Sequence, residues 1–71
     1  MIEIIVTPQQ AKALDYFFEG LTLADVALKL EVSYSRVINI LNAILVKTRL
    51  TSRKELLLNK DKIHYFIQQD I

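Results

Sequence analysis

The sequence predicts an all-α domain of four helices, or five if its last stretch is helical, and three observations carry that prediction. Apolar residues make up 52% of the chain with a single Gly and a single Pro, which argues for a compact, largely helical protein. Hydroxyl residues (Thr7, Thr22, Ser33 and the pair Thr51-Ser52) stand directly before four stretches of the chain, where N-caps belong. Within those stretches the apolar residues recur at helical spacing. With 71 residues the chain makes one domain, residues 1–71. A domain of this size buries only roughly 60% of its unfolded surface, so its stability is expected to be modest. It has no cysteine, which removes disulfides and thiolate metal sites, and its apolar fraction leaves material for a dimer contact.

Met1 to Val6 is apolar and rich in β-branched residues. It is too short for a helix and reads as an N-terminal arm or small strand over residues 1–6, packed on the helical core or paired with a second subunit. Thr7-Pro8-Gln9-Gln10 is a strong helix start, because Thr7 caps, Pro8 suits the first helical position and Gln10 closes a capping box. The first helix is expected over about Pro8 to Glu19, with Ala11, Leu14, Phe17 and Phe18 on one face and Gly20 as its left-handed stop.

Residues 22–48 read as a helix-turn-helix. Thr22 caps the first of the pair, with Asp25 near its positive end, and Leu23, Val26, Ala27 and Leu30 form its apolar face. Glu31 and Val32 leave the pattern and Ser33 supplies the next cap, so the turn is about three residues long. From Ser33 to about Thr48, Val37, Leu41, Ile44 and Thr48 fall on one arc, flanked by Tyr34, Ile40 and Leu45, and are expected inside. The opposite arc is Ser35, Asn39, Asn42 and Val46, with Arg36, Ala43 and Ile38 on its shoulders. Leu50 is expected in the core, and Thr51 or Ser52 caps a fourth helix beginning near Arg53. Leu56, Leu57 and Leu58 follow in succession, more apolar than one buried face needs. Ile63 to Asp70 reads as an amphipathic helix, with a strand as the alternative, carrying Ile63, Phe66 and Ile67 on one side. Residues 52–71 are thus a C-terminal helical region, with Leu56, Leu57, Ile63, Phe66 and Ile67 as its candidate contact with a second copy or a partner protein.

Net charge is only +1, but it is unevenly spread. Residues 1–31 carry −3, residues 32–54 carry +5 with no acid at all (Arg36, Lys47, Arg49, Arg53, Lys54), and the remainder carries −1. The positive block coincides with the second motif helix and its exit, the footprint of a protein that approaches phosphates from one side.

The order Val6-Thr7-Pro8, Gly20, Ala27, Leu30, Ser33, Val37, Ile44, Lys47 and Ser52-Arg53 resembles the LuxR-type (GerE-like) helix-turn-helix over about residues 6–58. The chain departs from that pattern at Glu31, where the family usually has Gly, at Arg49, where it often has Gly, at Ile38, where it often has a polar or basic residue, and at Ile40, where it often has His. The resemblance implies a bacterial, cytoplasmic transcription regulator that binds double-stranded DNA as a homodimer through its last helix. By the same resemblance Ser35, Arg36, Asn39 and Asn42 touch base or phosphate, and Lys47 and Arg53 touch the DNA backbone. Asn suits this role because it can read adenine bidentately.

Catalysis is not expected. The chain has one His, no Cys and scattered carboxylates; His64 has no second imidazole with which to share a metal, and no glycine-rich loop exists to cradle a phosphate. No cofactor or metal is implied. No apolar run approaches the roughly 18 residues of a membrane span. The rival function arises from the same helices: Leu28, Ile38 and Val46 are expected to point outward, and an apolar surface suits a protein that binds and modulates another regulator without reading DNA.

Overall fold

The computed structural model describes residues 1–68. Its elements run β1 (Ile2–Val6), α1 (Pro8–Phe18), α2 (Leu23–Leu30), α3 (Tyr34–Thr48), α4 (Arg53–Leu58), a short 3-10 turn (Lys60–Lys62) and β2 (Ile63–Ile67). The two strands pair in parallel, Ile2 beside Ile63 through Val6 beside Ile67. The protein is therefore a small mixed α/β fold, and the all-α expectation is corrected. The stretch from Ile63, expected to be a helix, is a strand, and the N-terminal arm is its partner; residues 69–71, the end of that expected helix, lie outside the described residues. The reason is non-local. IEIIV and IHYFI are both rich in β-branched and aromatic residues, but each lacks ladder partners until the other, 61 positions away, lies beside it.

The four helix starts form as the cap residues dictate. Thr7 accepts from the Gln10 N–H while the Gln10 side chain accepts from the Thr7 N–H, a complete capping box at 3.1 and 3.0 Å. Thr22, Ser33 and Ser52 accept from the N–H groups of Asp25, Arg36 and Glu55 at 3.1, 3.1 and 3.3 Å. Each hydroxyl satisfies one donor that the first helical turn leaves without a partner.

The ends of α1, α2 and α3 use one geometry with three different residues. Gly20, Glu31 and Arg49 all have positive φ, at 98°, 58° and 63°. After α1, the Leu21 N–H donates to the Tyr16 carbonyl at 3.3 Å and the Gly20 N–H to Phe17 at 3.1 Å. After α2, the Val32 N–H donates to Ala27 at 3.0 Å and the Glu31 N–H to Leu28 at 3.2 Å. Both are Schellman ends. After α3 a side chain completes the pattern: the buried Thr48 hydroxyl donates to the Leu45 carbonyl at 3.2 Å and accepts from the Leu50 N–H at 3.4 Å. Left-handed conformations at Glu31 and Arg49 carry a strain that Gly would not, about 1 kcal/mol each.

The core joins all layers. Ile4 and Val6 from β1, Leu14 and Phe17 from α1, Val26 from α2, Val37, Leu41 and Ile44 from α3, Leu56 from α4 and Ile63 from β2 are buried together. Two helix-face expectations change here. Tyr34, expected inside, is half exposed, because it occupies the first turn of α3 beyond the edge of the core. Ile38, expected outside, is partly buried.

Candidate nucleic-acid interface

The helices α2 and α3 pack on one another and on α1, joined through Glu31, Val32 and Ser33. Small Ala27 is buried on the inner side of α2, and Val37, Ile40, Leu41 and Ile44 hold α3 to the core. That anchoring leaves the far side of α3 to solvent, where Ser35, Arg36, Asn39, Asn42 and Val46 are all exposed. The spacing of four and three residues along this arc keeps the polar tips in one line, facing a single partner surface. The line begins at the N-terminus of α3, where free backbone N–H groups and the helix dipole favour a phosphate.

Arg36 is partly anchored. Its guanidinium donates to the Gln9 side-chain oxygen on α1 at 2.9 Å, which holds the arm against α1 while leaving other N–H donors for a ligand. Beside Gln9 lies a groove of about 340 Å³ lined by Pro8, Gln9, Lys12, Tyr16, Lys29, Leu30 and Glu31. Lys12 from α1 and Lys29 from α2 thus share one groove, with the Glu31 carboxylate beside them. The sequence concealed this because both lysines lie in its net-negative first part, and only the packing of α1 against α2 brings them to one groove.

Lys47, exposed on α3, is also engaged within the molecule. Its ammonium donates to the Ile5 carbonyl at 2.6 Å and to the Gln10 side-chain oxygen at 3.1 Å. Two of its three donors thus brace β1 and the start of α1 from α3. Arg53 is exposed at the first position of α4. Next to it, the Glu55 carboxylate accepts from the Thr51 N–H at 2.9 Å and from the Thr51 hydroxyl. These bonds, the Thr51 hydroxyl foremost, hold the Glu55 carboxyl below its usual pKa.

The candidate contact residues of the C-terminal region divide. Leu56 and Ile63 are buried in the core and so cannot form an intermolecular surface. Ile63 is seated in the core by the parallel strand, and Leu56 by the packing of the short α4 on α3. Leu57, Phe66 and Ile67 remain exposed. Tyr65 lies under the sheet beside Phe18, with ring centroids 6.3 Å apart, and its hydroxyl donates to Asp15 on α1. Burial first, and then the Asp15 carboxylate, push its pKa up to about 12.

Among the described residues no group of three or more His, Asp or Glu side chains is arranged to hold a metal ion, and no helix is long and apolar enough to cross a membrane. Compared with protein-family models, curated proteins and solved structures, the chain matches none. The functional reading accordingly rests on the geometry of the site and on the order of residues in the motif.

Proposed function

We propose that this chain is a sequence-specific DNA-binding transcription regulator of the LuxR/GerE type, working in the bacterial cytoplasm as a homodimer. The observation that carries the reading is the outward arc of α3: a fifteen-residue helix fixed on its inner side, with Ser35, Arg36, Asn39 and Asn42 exposed in a line. A helix of that width enters a major groove, where Asn39 and Asn42 suit base edges and Ser35 and Arg36 suit phosphate. Lys12, Lys29 and Arg53 supply further cations around it, whereas Lys47 contributes mainly by holding α3 to the strand.

The test is a gel-shift titration with pooled genomic fragments from the source organism at two salt concentrations. A dimer making about 3 to 5 phosphate contacts per subunit should give a log–log salt slope of about −5 to −9. Asn39→Ala should lose sequence preference, while Arg36→Ala and Arg53→Ala should weaken binding to all sequences alike. No retention of any fragment at low salt by a folded protein would sink the reading.

One observation favours a second reading, in which the same fold binds another regulator. Leu28 on α2 and Val46 on α3 are 76% and 79% exposed, and apolar tips are better matched by a protein than by a phosphate-lined groove. An interaction of that kind would barely respond to salt, and Leu28→Ser with Val46→Ser would abolish it.

A further inference from the structure

We infer that β2 is the contact through which two copies of this chain pair, antiparallel, with Tyr65 on the two-fold axis. The hydrogen bonding of the sheet shows which backbone groups are left over. The Gln68 N–H donates to the Val6 carbonyl at 2.7 Å, and in a parallel ladder the groups facing the neighbour alternate residue by residue. His64, Phe66 and Gln68 therefore face β1, and the N–H and C=O groups of Ile63, Tyr65 and Ile67 face away from it.

The two edges of this sheet are treated differently. On β1 one of the outward groups, the Ile5 carbonyl, is covered by the Lys47 ammonium at 2.6 Å, and a charged side chain at a strand edge discourages another strand from pairing there. On β2 no hydrogen-bond partner is recorded for the outward groups of Ile63, Tyr65 and Ile67 among the described residues. A two-stranded sheet with one open face is also an unusual setting for parallel strands, which normally have both faces covered.

A second copy of β2 matches this edge. Antiparallel pairing about Tyr65 sets Tyr65 against itself and Ile63 against the partner's Ile67, so all three residues exchange both backbone groups. A shift of the axis to His64 or Phe66 leaves one of them unpaired. In the Tyr65 register the half-exposed Ile67 lies beside the partner's Ile63. On the outer face Phe66 meets the partner's His64. No like charges oppose one another from Lys62 to Gln68, since Lys62 faces the partner's Gln68. The outer face carries Ile5 and Phe66, 61% and 55% exposed and adjacent in register, and pairing makes them part of one apolar stripe across a four-stranded sheet. This contact names a surface for the homodimer proposed above; it does not depend on DNA reading and is tested without DNA.

The experiment is sedimentation of the full chain over a concentration series, with two variants. Ile67→Pro removes an N–H that points away from β1, so the internal ladder survives; its helical circular dichroism should be retained while dimerisation weakens by at least about tenfold. The double variant His64→Cys/Phe66→Cys changes only exposed side chains in a chain with no other cysteine. Opposed positions of this type bring Cα atoms to about 4.5 Å, within disulfide range, so mild oxidation should give a covalent dimer, whereas Glu3→Cys on the outer strand should not. A wild-type chain that stays monomeric overturns the proposal. So does a dimer indifferent to Ile67→Pro that fails to cross-link through 64 and 66. A monomer whose edge instead accepts an unrelated extended peptide also overturns it, assigning the edge to a different strand.

Discussion

The outward face of α3 and the outward face of the sheet lie on one small domain and are built from opposite materials. Along α3 the exposed line is Ser35, Arg36, Asn39 and Asn42, polar tips on a backbone whose own hydrogen bonds are made within the helix. On the sheet the exposed pair is Ile5 and Phe66, next to a strand edge whose outward backbone groups have no partner among the described residues. A helix can specify only through its side chains, whereas a strand edge offers its main chain as well. One domain thereby separates a surface suited to a polar, charged partner from one suited to another strand.

The sharpest way to break the comparison is to remove what supports both faces. Leu56→Ala should cost about 2–5 kcal/mol, enough to unfold much of a domain with so small a core, while Leu58→Ala, on the same helix but 72% exposed, should stay within about 0.5 kcal/mol. Urea denaturation of the two variants distinguishes core from surface in this leucine run; equal effects would contradict the packing described. Next in size, Lys47→Met keeps the aliphatic stem but removes the brace on Ile5 and Gln10, and should cost about 1 kcal/mol. Arg53→Met, with no such brace, should leave the denaturation midpoint in place.

Glu31→Gly and Arg49→Gly should move stability the other way. Relief of left-handed strain is worth about 1 kcal/mol at each site, offset in part by the greater freedom of Gly in the unfolded chain. Melting temperature should rise by up to about 4–8 °C for the better of the two, and a fall in both would contradict the backbone conformation. The effects of pH act through single groups. Tyr65 holds its proton up to about 12 in the folded protein against 10.0 ordinarily. Its contribution is complete below pH 10 and is lost as pH rises towards 12; Tyr65→Phe should flatten that alkaline decline. Glu55, with its carboxyl lowered from 4.5 by Thr51, acts in the opposite sense. Its contribution is present above about pH 4.5 and is lost as pH falls through the lowered value, and Thr51→Val should remove it.

Most of the helical part of this fold was legible in the sequence, Tyr34 and Ile38 excepted. Thr7, Thr22, Ser33 and Ser52 cap the helices for which their positions mark them, and the outward arc of α3 is the one its spacing gives. The sheet was not, and the candidate site changed with it. Ile63 and Leu56 went from expected interface to core, Lys47, an expected DNA contact, also braces β1 and α1, and Lys12 and Lys29 came together on one groove.

What the sequence by itself determined is whatever closes within one or two helical turns: caps, stops, and the main inward and outward arcs of α1 to α3, though not Tyr34 or Ile38 at their margins. Such contacts join residues three or four apart, so the pattern and its cause occupy the same few letters. Tertiary structure alone decided the parallel pairing of residues 2–6 with 63–67 and the bond from Lys47 to the outward Ile5 carbonyl. In a strand the backbone bonds are made to another part of the chain, and neither segment carries the address of its partner.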